Sequence, residues 1–365
     1  MSKNVKSVIV LVVLVAMLVA IYLVLRKPST EDEPNFGKTN GMLVVPTMLD
    51  KIAADSSWCG TFQLIWNDMK NEVVKRDIVF TPQEEMADNL NKEEFKESMI
   101  SDDYYFKKYG LKTLDLKEEI EKGIKEKFNQ TSDILSDFDW SEEELNSTNN
   151  LDEDRYFFYV MLYRKFEFLK EFDKLDKGKF GDNYNDIEYF GISDSTDDTV
   201  RDQIKVLYYN SKDDFAIIIN TKTNDEVIFC KNPNGTTFKE IYDNMNTKTE
   251  SYEGSISFQD NDTFKAPNLT FNEKREYLEL QEKEFMAEVG PAEIVKAIQT
   301  IKFSLNEKGG EIKSESGIDL KLESAAMPEE PRQFYIDDTF AIFLRESGQE
   351  LPYFAGRVDN ITKFQ

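Results

Sequence analysis

Two thiols and a large surplus of carboxylates are the reactive groups of this chain. Cys59 and Cys230 are its cysteines, 70 Asp and Glu stand against 45 Lys and Arg, and there is no histidine in 365 residues. Without imidazole, Ser–His and Cys–His nucleophilic pairs, histidine acid–base catalysis and histidine metal sites are excluded. Cys59 lies beside Trp58 in a stretch that reads as helical, and Cys230 closes the apolar run Val227-Ile228-Phe229. Two such isolated cysteines fit buried free thiols, and make neither a disulfide framework nor a metal-binding pattern. The carboxylates are so many that no acid–base pair stands out. There is no GxGxxG, P-loop, zinc spacing or EF-hand loop. The expectation is a protein that is not an enzyme and takes no cofactor and no metal. A net charge of −25 repels phosphate backbones, so nucleic acid is not an expected partner.

The chemistry that residue spacing does support is backbone pairing. Gly310, Ile312, Ser314, Ser316, Ile318, Leu320 and Leu322 alternate with Glu311, Lys313, Glu315, Gly317, Asp319 and Lys321. One face is small or aliphatic and the other is charged apart from one glycine. Successive strand side chains point to opposite faces, so this is the pattern of a half-buried strand. It follows the apolar run Ile298, Ile301, Phe303, Leu305 and a Gly309-Gly310 break. It precedes Pro328-Glu329-Glu330-Pro331 and two short strand-like runs at the C-terminus.

The elements that must position this segment begin at the N-terminus. Val8 to Leu25 is an unbroken, nearly all-aliphatic run after a short tail, residues 1–7. At about 1.5 Å per residue it crosses most of a hydrocarbon core roughly 30 Å thick. An uncleaved transmembrane signal anchor and a cleaved secretory signal are the two readings. The run's length and the lack of a small-x-small cleavage pattern favour the anchor. Residues 26–45 read as a polar linker, and 46–365 as the folded domain. The expected location is the cell membrane, single-pass, with the domain extracytoplasmic, or secreted if the segment is cleaved.

Within the domain, Trp58, Phe62, Ile65, Trp66, Met69 and Val73 recur at helical spacing and predict a helix over 56–75. Asp77 to Pro82 reads as a short buried strand. A second helix is expected over 112–128, with Leu116, Ile120, Ile124 and Phe128 on one face and Glu118–Lys122 and Glu121–Lys125 pairs on the other. Residues 133–154 read as a polar surface excursion. The aromatic stretch 155–172 reads as core packing. Lys205–Tyr209 and Phe215–Ile219 predict a hairpin, Val227–Cys230 a strand, and 236–245 a short helix.

The order of these pieces resembles a serpin. Ile336 to Leu344 is similar to the family's strand F-x-[DNK]-[RK]-P-F-x-F-x-I, and Leu351 to Val358 to its closing strand L-F-x-G-R-V. Phe62 and Leu64, followed by Asp77-Ile78-Val79-Phe80-Thr81-Pro82, resemble the first helix and the N-I-V-F-S-P lead into the second. Lys205-Val206-Leu207 with Phe215–Ile219 looks like the central hairpin. Phe264 to Leu269 is similar to the P-K-F strand. Leu305-Asn306-Glu307-Lys308-Gly309-Gly310-Glu311 is similar to the hinge v-x-E-x-G-[TS]-E.

The resemblance implies an α+β fold, mixed β-sheets surrounded by helices, behind the N-terminal transmembrane helix. It makes 307–331 a reactive-loop-like segment with hinge residues Glu307, Gly309, Gly310 and Glu311. Its inserting face is then Ile312, Ser314, Ser316, Ile318, Leu320 and Leu322. The family's spacing puts the cleaved bond at Glu323–Ser324. The implied function is serine or cysteine protease inhibition by loop cleavage and strand insertion, with a protease as partner. The alternative is a non-inhibitory binding or structural module at the membrane surface with the loop already in the sheet. Two departures bear on the choice. Ile312, Lys313, Ser314 and Glu315 stand where inhibitory hinges carry small residues. Gln83-Glu84-Glu85 opens the second helix where the family has a serine cluster. Burial of Ile312, Ile318, Leu320 and Leu322 at about 1.5–3 kcal/mol each comes to on the order of 6–12 kcal/mol.

Overall fold

The computed structural model describes residues 41–146, 154–310 and 331–365, all within one unit, Phe36–Gln365. The anchor expected at 8–25 lies outside the described residues. Among those described, no helix is long and apolar enough to cross a membrane.

Mixed sheets with helices packed on them make an α+β architecture. The largest sheet has seven strands in the order Leu43–Val45, Ser56–Cys59, Phe354–Val358, Phe340–Glu346, Asp225–Lys231, Asp214–Asn220 and Ile204–Ser211. All its pairs are antiparallel except the first, where Leu43 lies beside Ser56. The sheet thus begins at Leu43, inside the stretch that composition reads as linker. The C-terminal strands sit in its middle, where Ala341, Ile342, Phe343 and Leu344 are fully buried. The expected hairpin and the 225–231 strand are present. The helix Phe238–Glu250 covers this sheet, buries Phe238, Ile241, Tyr242 and Met245, and is capped by Thr237. Its Tyr242 ring meets Phe343 at 5.2 Å.

A second sheet runs Gln333–Tyr335, Thr263–Pro267, Tyr184–Gly191, Asp173–Phe180. A third runs Leu269–Glu276, Ile298–Asn306, Gly309–Gly310, Phe166–Glu167. Tyr105–Leu111 pairs with Tyr156–Leu162, and Glu284–Ala287 with Gly290–Glu293. Phe166, Phe168, Phe172, Phe190 and Phe264 pack into one core, so the aromatic stretch is core, as its composition suggests.

Four local expectations are corrected. Residues 56–59 are strand, not helix; the helix runs Thr61–Asp68 and continues as a π-helical stretch, Met69–Val74. Cys59 therefore lies on a strand. Residues 77–82 join no sheet. The backbone of Ile78 is held at both ends by the Asn91 side-chain amide (3.2 and 2.8 Å), and Phe80 N–H donates to Gln83 Oε1 at 2.7 Å. The strand that does lead into a helix is Ser56–Cys59, and it carries the buried serines Ser56 and Ser57. The third correction is in the helix Leu114–Phe128, whose ion pairs are Lys117–Glu121 and Lys122–Glu126 rather than those expected. Lastly, 133–146 is not all surface. Leu135 is buried, and Phe138 and Trp140 pack edge-on to Phe157 at 4.8 and 5.0 Å.

Candidate functional site: a glycine turn at a sheet edge

The Ile298–Asn306 strand sends Ile301, Phe303 and Leu305 into the main core, with Phe303 stacked on Phe354 at 4.7 Å. At its start, Gln299 is buried and fixed three times. It donates to Cys59 O and Thr61 Oγ1, both at 3.0 Å, and accepts from Tyr277 OH at 2.6 Å. At its end the chain turns through Glu307 and Lys308 and comes back as Gly309–Gly310. That short strand pairs with Leu305 and Asn306 on one side and with Phe166 and Glu167 on the other.

Both glycines are required there. Gly309 has φ +134°, a conformation that side chains disfavour, and a Cβ on it would strike Phe166 O. A Cβ on Gly310 would strike the Phe166 ring and Ser304 O. The turn is docked as well as paired. Phe172 N–H donates to Glu307 O and Phe168 N–H to Lys308 O, each at 2.9 Å. Glu307 is buried, and its carboxylate meets the exposed Lys174 at 3.2 Å.

Beyond this turn, no further strand joins this side of the sheet among the described residues. Leu269–Glu276 pairs along the whole length of Ile298–Leu305. On the opposite edge of that strand, pairing stops at Leu305. Among the described residues no strand takes the edge of 298–304, and no backbone bond joins it to Tyr156–Leu162. An edge of this kind is a template for another strand.

The far end of the loop is fixed in a different sheet. Arg332 and Asp262 are both buried and meet at 2.6 Å. The guanidinium also donates to Ser255 O (2.7 Å) and Ser257 O (2.6 Å) and lies over the Phe334 ring. One residue on, Gln333–Tyr335 pairs parallel with Thr263–Lys265.

A second buried cluster lies just before the Phe166–Glu167 strand. Arg164, two residues before Phe166, is paired with Asp225 at 2.6 Å and with Glu346, and its guanidinium covers the Tyr104 ring at 3.7 Å. Asp225 also accepts from Thr223 Oγ1 (2.9 Å) and Tyr353 OH (3.2 Å). Two carboxylates share one guanidinium here. Burial pushes the Asp225 carboxyl up to about 6, against the pull of Arg164 and its hydrogen bonds.

Of the residues expected at the site, Glu307, Gly309 and Gly310 come together in this turn. Glu311, the inserting face Ile312 to Leu322 and the bond Glu323–Ser324 lie outside the described residues. Arg332, Asp262, Arg164 and Phe166 were not expected. Arg332 follows Pro331 with no periodic partner, and the hydrogen-bond partners of its side chain lie 70 residues or more away in sequence. Both cysteines are buried and free. Burial raises the Cys230 thiol to about 11, which leaves no thiolate nucleophile. What the arrangement can do chemically is receive a strand.

No protein-family model and no curated protein matches this chain. Serpins are among the solved structures similar to it. They include Serpin48 of the insect Tenebrio molitor, 13% identical, covering 72% of this chain and 78% of that one, with a TM-score of 0.35. Human thyroxine-binding globulin is 13% identical over 72% and 77%, with a TM-score of 0.37. A serpin from the trematode Schistosoma haematobium is 13% identical over 68% and 63%, with a TM-score of 0.38.

Proposed function

We propose that this chain is a membrane-tethered, serpin-like protein whose segment 307–331 is cut by a protease and then joins the Ile298–Asn306 sheet as a new strand. One observation carries the reading. Gly309–Gly310 is already seated between two strands, at the mouth of an edge that no other described residue pairs along 298–304. If that register continues, Phe303 faces Ile312, Ile301 faces Ser314 and Gln299 faces Ser316. These partners are core-facing, so the even-numbered loop residues turn inward, which is the sense of the alternation in the sequence. Across the slot, Ser314 and Ser316 then meet Leu162 and Val160, which pack in or on the main core.

The same register limits the gain. The flanking strand ends at Ile298, opposite Gly317. Ile312 is then enclosed and Ile318 falls one place past the strand, opposite the buried Ala297, whereas Leu320 and Leu322 run further out. The apolar contribution falls to about 3–6 kcal/mol. Lys313 would also face Lys302 on the outer face, where Asp133 at 2.7 Å from Lys302 reduces the like-charge repulsion. The tether rests on the aliphatic run 8–25, with the folded domain outside the cytoplasm.

The test is a panel of serine and cysteine proteases. A denaturant-resistant covalent complex supports inhibition. Clean cleavage with a rise in melting temperature and no complex supports insertion without trapping, the non-inhibitory reading. Cleavage that leaves the melting temperature unchanged refutes both.

A further inference from the structure

The hairpin Glu284–Ala287 and Gly290–Glu293 is built in a way that folding alone does not explain. Its inner face is ordinary: Phe285 and Ala287 are buried, and Phe285 meets Phe80 edge-on at 5.6 Å. Its outer face is not. Met286 lies directly opposite Pro291, both exposed, and Val289 at the tip is 93% exposed. The positive φ of this turn falls on Gly290, so the backbone makes no demand that would place an apolar residue at Val289. Beside this apolar spot, Glu284 lies directly opposite Glu293, and Glu288 is at the tip. Like charges directly opposite destabilise a strand pair. Among the described residues no cation pairs with Glu284, Glu288 or Glu293, whereas Glu279 and Glu84 nearby are paired with Arg275 and Lys283.

We propose that this face is a docking surface for a basic protein segment, one that brings an apolar side chain to Met286, Pro291 and Val289 and Lys or Arg to the three glutamates. Charge selects the occupant. A second copy would present the same carboxylates, and an anionic bilayer would repel them. A cationic segment with an apolar centre removes the Glu284–Glu293 repulsion and covers Val289 in one step.

The test uses the full chain in detergent at physiological salt and a labelled Leu/Lys amphipathic peptide as probe. Peptides of Leu/Ser and Gly/Lys composition serve as controls. The expected result is that the Leu/Lys peptide binds best, and that Glu284→Gln with Glu293→Gln weakens it at least tenfold. Met286→Thr with Val289→Asn should do the same. The glutamate double variant keeps or raises the melting temperature, since it relieves a repulsion. Glu118→Gln with Glu253→Gln, exposed glutamates elsewhere, changes affinity less than twofold. Equal losses in the control and hairpin variants would mean attraction by net charge alone and overturn the proposal. So would unchanged binding in the Met286/Val289 variant. A photo-crosslinker at position 289, with the chain in phosphatidylcholine vesicles, should label the added peptide. Labelling of lipid or of a second copy overturns the assignment.

Discussion

Cutting the loop should make the protein harder to melt, by an amount that the geometry bounds. Insertion gives residues 311–317 a strand neighbour at 298–304, and residues 314–317 a second at 159–162. The backbone bonds this adds, at about 0.5–1.5 kcal/mol each net, are largely offset by about 1–2 kcal/mol per residue of ordering entropy. What remains is the burial of Ile312 and Ile318, about 3–6 kcal/mol. Unfolding entropy of about 2.1 cal/mol/K per residue, over the folded residues, gives about 0.7 kcal/mol/K. The melting temperature should therefore rise by about 4–9 °C on cleavage between 317 and 330. Calorimetry before and after limited proteolysis, with N-terminal sequencing of the cut, measures it. Ile312→Glu puts a charge opposite Phe303 and should abolish most of the rise while leaving the uncut protein unchanged. A full rise in that variant, or no rise in the parent after complete cleavage, refutes the register.

Other expectations follow from the same region. Gly310→Val drives side-chain atoms into Phe166 and Ser304; it should expel the turn from the sheet, lower stability by about 1–3 kcal/mol, and show as faster amide exchange at Phe168 and Phe172. Asp262→Ala leaves the Arg332 guanidinium buried without its carboxylate; a loss of about 3–5 kcal/mol in chemical denaturation is expected. Asp225 binds its proton more tightly folded than unfolded, with a carboxyl at about 6 against an ordinary 3.8. Its contribution to stability is therefore present in full below about pH 4 and is lost as pH rises through 6. Asp225→Asn should flatten a decline on the order of 3 kcal/mol between those values, read by denaturant titrations across pH.

The elements that sequence predicts well are those with one wet face and one dry one. The helix Leu114–Phe128 and the hairpin of Ile204–Ser211 with Asp214–Asn220 follow their periodicity closely. Ser56–Cys59 does not, because all four residues are buried and show no alternation. Trp58 then falls by chance into helical step with Phe62 and Ile65. Ile78 and Phe80 are buried around an exposed Val79, which is strand-like spacing, but the groups that satisfy the backbone there are the side chains of Asn91 and Gln83. At the site, the Gly309-Gly310 break is legible because a turn demands glycine locally, and Glu307 is reached only through the family resemblance. The two arginines are not legible, since each is fixed by partners from distant strands and leaves no pattern around itself.

The position of the last strands has a consequence for what a cut does to the particle. Phe340–Glu346 and Phe354–Val358 lie between Asp225–Lys231 and Ser56–Cys59, in the interior of the widest sheet, and Arg332 is pinned just ahead of them. Severing the chain before Arg332 turns this tail into a separate polypeptide that has no surface by which to leave. The nicked protein behaves as a heterodimer whose smaller subunit was made by proteolysis after folding. Its mass in native separation is unchanged, and the break is seen only when denaturant takes the sheet apart.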